Sequence, residues 1–131
     1  KYPPNKSRSL GIPTWFYGHE PATPFATHIA KYFFNSLRED VLLSIAKGGI
    51  IYSPGSAGTI QEIFQDAAQN HYETFGAPSP MIFLDKEFFT KEVPIYPLLE
   101  DLLSRGKYRG LLISVTDDPQ EVIDTLMSFP K

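Results

Sequence analysis

The chain has 131 residues, of which 42% are hydrophobic and 21% are charged, and its net charge is −3. This composition is typical of one globular domain with a substantial core, and it excludes disorder, a membrane-spanning segment and non-specific nucleic-acid binding by a basic surface. The absence of cysteine excludes disulfides and thiolate metal sites, and it is consistent with a cytoplasmic protein.

The first segment of the chain is polar. Residues 1–9 contain two prolines, and we interpret them as a linker or frayed entry to a single domain over residues 10–131. Because the chain begins at Lys1 rather than methionine, we expect it to be a piece of a longer protein.

Residues 10–17 predict a first strand, with Pro13 near its start or at an exposed edge. Residues 18–21 then form a turn at the carboxyl end of that strand, which is the ligand side of an open α/β sheet. His19 and Glu20 in this turn are candidate substrate contacts. The alternative is a satisfied loop histidine and a solvated glutamate.

A helix is predicted from Phe25, because the apolar residues after it keep helical spacing: Ile29, Tyr32, Phe33 and Leu37. Ser36 and Glu39 have the spacing of a capping box, so we expect a break near Asn35 and a second helix after it. That helix would end at Gly48 and Gly49 and would direct three residues inward: Val41, Leu42 and Ile45. His28 and His71 are placed within helices as structural or exposed residues.

A glycine-containing turn lies at the centre of the chain. Residues 49–52 predict a short buried strand, and a helix follows the turn to about Tyr72, with one apolar face: Ile60, Ile63, Phe64, Ala67 and Ala68. Such a strand, turn and helix bring backbone N–H groups and the positive helix end to one point, which is a site for phosphate or another anion. Thr59 and Glu62 also have capping-box spacing, so Glu62 is either a helix cap or a functional carboxylate.

The second half of the chain alternates strands and helices. Residues 81–85 and 111–115 predict two more strands, and residues 86–96 a longer connection. Pro97 begins a helix that ends at Gly106 and buries four leucines: Leu98, Leu99, Leu102 and Leu103. The last helix is capped by Asp118, with Pro119 and Glu121 in its first turn, and buries Val122, Ile123, Leu126 and Met127. Four alternations of strand and helix predict an α/β protein with a parallel sheet.

The central turn also carries a family signature. The run Pro54-Gly55-Ser56-Ala57-Gly58-Thr59-Ile60-Gln61-Glu62 resembles the PGGxGTxxE motif of the Lonely Guy (LOG) family, proteins long mislabelled lysine decarboxylases. The resemblance continues at Pro80-Met81-Ile82-Phe83-Leu84-Asp85, at Pro97-Leu98-Leu99 and at Asp117-Asp118-Pro119-Gln120-Glu121. It implies a Rossmann-like three-layer αβα fold with a parallel sheet, of which this chain is the C-terminal half, with one sheet edge left bare.

The resemblance also implies an activity. LOG-type proteins are phosphoribohydrolases, which cut a nucleoside 5′-monophosphate into free base and ribose 5-phosphate. Their pattern assigns phosphate binding to Pro54, Gly55, Ser56, Ala57, Gly58 and Thr59, and catalysis to Glu62 with an arginine of the preceding helix, here Arg38. The sequence departs from the family at Ser56, where the family has glycine, and at Glu39, where a lysine usually follows the arginine. A homodimer or higher homo-oligomer is implied by the resemblance alone.

Several alternatives stay open. The chain could hold a nucleotide derivative as a binding or sensor module without cutting it, or its pocket could be vestigial. Arg38 could be a surface residue balanced by Glu39 and Asp40. The aromatic residues could stack a base, with core packing as the default interpretation: Trp15, Phe16, Tyr32, Phe33, Phe34 and Phe64.

We predict neither a metal nor a cofactor. No histidine and acidic residues have HExxH spacing, because His19-Glu20 runs into Pro21. Lysine decarboxylation would require a pyridoxal-phosphate lysine in a dedicated pocket, and no lysine of the chain shows that setting.

Overall fold

A computed structural model of the protein describes residues 8–15 and 23–130. The chain divides into two compact units, Lys1–Leu42 and Leu43–Lys131, and the boundary falls within helix α1 (Asn35–Ile45). A single domain over residues 10–131, preceded by a linker, stays a prediction.

The first unit contains two very short parallel strands. Strand β1 (Leu10–Gly11) pairs with β2 (His28–Ile29), so that Leu10 lies opposite His28. Thr14 continues this parallel pairing by a bridge to Tyr32. The Thr27 hydroxyl donates to the Ser9 carbonyl at 2.7 Å and accepts the Ser9 N–H at 2.8 Å, which fixes the register at its start.

The predicted helix from Phe25 is therefore wrong, and the predicted first strand is much shorter than expected. The backbone N–H groups of His28, Ala30 and Tyr32 donate to carbonyls of residues 9–13 instead of to a helix. The apolar residues whose spacing suggested a helix do not form a buried face, since Ile29 and Phe33 are about 60% exposed (58% and 60%). His28 consequently lies on a strand and not within a helix.

Helix α1 begins at Asn35, where the sequence predicted a break. It buries Glu39 and Leu43, whereas Val41 and Ile45, which were expected to point inward, are exposed. The helix ends at Ile45, before the glycines that were expected to terminate it. The buried positions 39 and 43 are one helical turn apart, so one narrow stripe of α1 is covered.

The second unit is built on a parallel three-stranded sheet. Its strands β3 (Ile50–Tyr52), β4 (Pro80–Leu84) and β5 (Leu112–Thr116) lie in the order β3-β4-β5. The register places Tyr52 opposite Phe83 and Leu84 opposite Thr116. The α/β class with a parallel sheet is confirmed, but the sheet has three strands and not four, because β1 belongs to the separate pair with β2.

Helices cover this sheet as in a Rossmann-like αβα arrangement. Helices α2 (Ala57–Tyr72) and α3 (Ile95–Ser104) bury side chains together with Met81 and Phe83 in one hydrophobic cluster. Ile82 points to the opposite face because side chains alternate along a strand, and helix α4 (Pro119–Ser128) contacts β4 and β5. The three central residues of β4 are completely buried, which explains its continuous apolar sequence.

The connection after β4 contains structure that the sequence did not predict. A π-helical segment, Phe88–Glu92, precedes α3, and α3 starts two residues before Pro97. Leu99 and Val122 are buried as expected, but some residues of the predicted buried faces are exposed: Leu98, Ile123 and Met127. Gly106, with φ of +66°, follows the end of α3 as predicted, because a left-handed residue there is easiest for glycine.

Candidate functional site

The predicted anion site lies where β3 ends and α2 begins. Residues 53–56 form the turn, and α2 starts at Ala57 with Ser56 in the N-cap position. The Ile60 N–H donates to the Ser56 carbonyl at 3.1 Å, which closes the first helical turn. The Ser56 hydroxyl accepts no N–H of that turn. The first N–H groups of α2 therefore point out of the helix start without a side-chain cap from Ser56, as an anion site requires.

Ser56, at a position where the LOG motif has glycine, causes no backbone strain. Ser56 has φ of −115°, a value open to any residue. Gly55, in contrast, is required by packing, since a Cβ there would lie 2.1 Å from the Thr59 hydroxyl oxygen and 2.9 Å from its Cβ. The backbone of the turn thus closes against the Thr59 side chain. Gly58 has open space around it, so its lack of a side chain leaves the helix start accessible.

The helix-cap interpretation of Glu62 does not hold. Thr59 is the third residue of α2 and not its N-cap, so Thr59 and Glu62 do not form a capping box. Glu62 lies one turn further into the helix and is half-buried. Its charge, after burial and the Asp66 carboxylate, is one of the causes that raise the pKa of the Tyr52 hydroxyl. Glu62 therefore lies close to the end of β3, beside the turn.

Arg38 is located in the first unit, on α1. It is half-buried, and its Nη1 donates to the Ile12 carbonyl oxygen at 3.2 Å. Its neighbour Glu39 is 1% exposed and accepts a hydrogen bond from the Asn35 side chain. Arg38 is thus partly covered rather than fully exposed, and the alternative in which Glu39 and Asp40 balance its charge stays a prediction. Its pairing with Glu62 stays a prediction, because the two residues belong to different units.

The structure describes some of the remaining candidate residues and not others. His19, Glu20 and Phe16 lie outside the described residues. His71, near the end of α2, accepts the Arg109 N–H on Nδ1 at 3.0 Å, which is a structural role as predicted.

Core packing, the default interpretation of the aromatic residues, is wrong for three of them: Trp15, Phe33 and Phe34, which are 54%, 60% and 65% exposed. Trp15 stacks on Phe33 with ring centroids 6.0 Å apart, and Lys31 Nζ lies 4.2 Å from the Trp15 ring. Phe64 packs against the core of the second unit.

A buried polar network lies beside the candidate site, and the sequence interpretation missed it. The Tyr52 hydroxyl donates to Asp66 Oδ2 at 2.7 Å, and Asn70 Nδ2 donates to Asp66 Oδ1 at 3.1 Å. Asn70 Oδ1 in turn accepts the Ser79 N–H at 2.9 Å. A signal was available in the sequence, because Asp66 and Asn70 have helical spacing from Ile63 and so fall on the apolar face of α2. In the structure they are only 3% and 7% exposed.

Burial dominates the electrostatics of this network. It raises the pKa of the Asp66 carboxyl to about 6, against which the Tyr52 hydrogen bond acts in the lowering direction. Burial, followed by the Asp66 charge, also raises the pKa of the Tyr52 hydroxyl. A small cavity of about 20 Å³, lined by Asp66, Asn70, Ser79 and Lys47, adjoins the network and has room for one water molecule. The Tyr52 hydroxyl therefore keeps its proton and donates a hydrogen bond to the Asp66 carboxylate.

Residues 8–15 and 23–130 contain neither a metal site nor a membrane-spanning helix. No three histidine, aspartate or glutamate side chains of these residues group as metal ligands. None of the helices in this part of the chain has the length and hydrophobicity needed to cross a membrane. Comparison of the chain with protein-family models finds no match, and comparison with curated proteins finds none either.

Proposed function

We propose that this protein binds nucleoside 5′-monophosphates and hydrolyses their N-glycosidic bond, which releases free base and ribose 5-phosphate. The observation that carries the proposal is the start of α2, which lies at the carboxyl end of β3 without a side-chain cap from Ser56 and has Glu62 one turn further on. The carboxyl ends of parallel strands are the ligand side of α/β sheets, and a helix start is suited to a phosphate.

The chemistry divides between the turn and the helix. Backbone N–H groups of residues 55–59 would hold the 5′-phosphate and so fix the ribose. Departure of the base leaves positive charge on the ribose, and a carboxylate beside the sugar lowers the free energy of that state. Glu62 would stabilise that charge or orient the attacking water. Arg38 would pair with the phosphate or the base and orient Glu62, as the resemblance implies.

The remaining predictions belong to this proposal. His19 and Glu20 are proposed substrate contacts, and a homodimer or higher homo-oligomer is the proposed assembly. A cytoplasmic location is supported by the absence of cysteine from the sequence. No metal or organic cofactor enters the proposed reaction, in which water replaces the base at the anomeric carbon.

A second candidate function is nucleotide binding without cleavage. It is favoured by Arg38, whose guanidinium already donates to the Ile12 carbonyl, and by the buried Glu39 at a position where the resemblance leads one to expect a lysine. An arginine held by the backbone of its own unit is less available to orient a carboxylate during catalysis. Binding of the 5′-phosphate at the turn would be the same in both candidates.

Product analysis with a Glu62→Gln variant tests the proposal. The protein is incubated with a panel of nucleoside 5′-monophosphates, and free base and ribose 5-phosphate are quantified. We expect release by the parent and a loss of about 100-fold or more in Glu62→Gln, since removal of a positioned carboxylate typically costs that much. Glu73→Gln, the same change of charge at the opposite end of α2, is the matched control and should keep parental activity.

The other outcomes decide between the candidates. Binding of the nucleotides by parent and variant, without release by either, would establish the binding module and reject the hydrolase. Equal release by the parent and by Glu62→Gln would remove Glu62 from the catalytic machinery. A protein that neither binds nor cleaves any of the nucleotides would contradict both candidates.

A further inference from the structure

The residue that ends β3 is held from two directions. The Tyr52 side chain is 4% exposed, and its ring stacks on Phe83 of β4 with centroids 5.4 Å apart. Its hydroxyl donates to Asp66 Oδ2 at 2.7 Å. Packing therefore fixes the ring, and the hydrogen bond fixes the distance between the end of β3 and the middle of α2.

Asp66 itself is held on its other oxygen. Oδ1 accepts from Asn70, and Asn70 accepts from the backbone of Ser79 at the entry to β4. The network thus joins the end of one strand, two turns of α2 and the start of the next strand. Each of these polar groups has a partner, and a fully satisfied network of this kind holds its members in one arrangement.

The network is close to the proposed anion site in sequence and in space. Tyr52 is three residues before Gly55, and Asp66 is four residues after Glu62, so the two acids share one face of α2. The charges of both acids act on the Tyr52 hydroxyl. The turn at residues 53–56 therefore connects two elements whose separation the Tyr52–Asp66 hydrogen bond determines.

We propose that Tyr52 and Asp66 are positioning residues for the anion site, and that their hydrogen bond sets the place of the turn and of Glu62 relative to the sheet. Neither side chain would contact the ligand. The ligand of the site rests on the proposed function, whereas the positioning of the turn does not. Stability alone does not account for the pair, because an ionised carboxylate is costly to bury and apolar residues of similar volume often serve as well.

The first test removes the hydroxyl and keeps the ring. Tyr52→Phe is compared with Tyr96→Phe, a matched control because the Tyr96 ring also contacts Phe83 and its hydroxyl also bonds an acid, Glu100. Backbone amide order parameters are measured by NMR without ligand. We expect them to fall from the rigid range, about 0.85, toward about 0.6 at residues 55–59 in Tyr52→Phe only, while residues 81–83 of β4 are unchanged.

The second test moves the negative charge of the network from residue 66 to residue 70 in a double variant that keeps the hydrogen bonds. Asp66→Asn alone adds an amide donor, so that either the Asn70 amide or the Tyr52 hydroxyl loses its acceptor, whereas Asp66→Asn combined with Asn70→Asp restores an acceptor for every donor of the network. Ribose 5-phosphate is the probe. We expect its affinity to fall roughly ten-fold in Tyr52→Phe and in Asp66→Asn, the equivalent of one hydrogen bond, and to return in the double variant.

The order parameters and the affinities distinguish failure of this inference from failure of the proposed function. If the parent binds neither ribose 5-phosphate nor any nucleoside 5′-monophosphate, the proposed function fails, and the order parameters still decide the positioning role. Unchanged order parameters at residues 55–59 in Tyr52→Phe would overturn the inference. So would an equal loss of order at residues 55–59 and at residues 81–83, because that result describes a general structural role. Failure of the double variant to regain affinity or order would overturn it as well.

Discussion

Two helices of the second unit begin at equivalent positions of the sheet but differ in how their first turns are capped. Helices α2 and α4 both begin at the carboxyl ends of strands, β3 and β5. The start of α4 is closed by its own side chains: Asp118 accepts the Gln120 N–H at 2.8 Å, and the Asp118 N–H donates at 3.0 Å to the Thr116 hydroxyl, which donates to Glu121. The start of α2 has Ser56 as N-cap and no side-chain bond from it.

The difference separates a structural helix start from one suited to a ligand. In α4 a carboxylate of the chain occupies the position that an anion would take, and Pro119 removes one N–H altogether. In α2 the turn is built from small residues, and Gly55 lets the backbone close against Thr59. A helix start that lacks its own carboxylate cap can accept a phosphate in place of that cap.

The largest expected effect comes from giving α2 the cap of α4. In Ser56→Asp a carboxylate would take the N-cap position and repel a bound phosphate at short range. We expect the affinity for ribose 5-phosphate to fall about 100-fold or more, since two close charges at a protein surface interact by several kcal/mol. The same change should raise the free energy of unfolding by about 1 kcal/mol. Calorimetric titration and urea unfolding measure the two effects.

Ser56→Asn is the matched control for that experiment. The amide caps a helix about as well as the carboxylate but carries no charge, so most of the affinity should be retained. Asp118→Ala should lower the free energy of unfolding by about 1 kcal/mol and leave the affinity unchanged, because it uncaps α4 only. Equal affinities of Ser56→Asp and the parent would mean that no anion binds at the start of α2.

The buried Asp66 of α2 should make the stability of the protein depend on pH. Burial raises the pKa of Asp66 in α2 from 3.8 to about 6, so the folded state binds a proton more tightly than the unfolded state does. The resulting stabilisation is complete below about pH 4 and is lost as the pH rises through about 6, a change on the order of 3 kcal/mol.

Urea unfolding of the parent and of Asp66→Asn across this range isolates the contribution of Asp66. The other titrating groups are common to both proteins, and the amide does not titrate. The parent should therefore lose stability relative to the variant as the pH rises from 4.5 to 7. Parallel pH profiles of the two proteins would contradict the raised pKa of Asp66.

The smallest expected effect distinguishes Gly55 of the turn from Gly58 in the first turn of α2. Gly55→Ala forces the backbone away from Thr59 and should lower the free energy of unfolding by about 1–3 kcal/mol, with weaker ribose 5-phosphate binding. Gly58→Ala meets no atom within 4 Å at a helical position, so it should raise the free energy of unfolding by roughly 0.5–1 kcal/mol. Thermal and urea unfolding of both variants check the signs, and a stable Gly55→Ala protein would show that the turn relaxes easily.

The features of the second unit that depend on residues adjacent in sequence could be predicted. Strands β4 and β5, the extent of α2 and the Asp118 cap follow from short apolar runs and from residues that act on their own neighbours. The position of the turn between β3 and α2 was predicted for the same reason, since a strand, a glycine-containing turn and a helix are adjacent in sequence.

The features that escaped prediction depend on residues distant in sequence. Alternate residues along β2 and its continuation find the acceptors for their N–H groups in residues 9–13: His28, Ala30 and Tyr32. This pairing overrides the helical spacing of Ile29 and Phe33. The Tyr52–Asp66 hydrogen bond requires the sheet and α2 to be packed before the two residues meet. Asp66 on an apolar helix face was the visible sign, but its partner could not be identified from spacing.

The chain has a single tryptophan, Trp15, and it belongs to the first unit. Its emission therefore reports on the first unit, through the stacking with Phe33 and the Lys31 charge above the ring. The buried rings of the second unit are phenylalanines and tyrosines, which can be followed by near-ultraviolet circular dichroism. The unaltered protein thus carries two spectroscopic reporters, and coincidence of their melting curves measures how cooperatively the two units unfold.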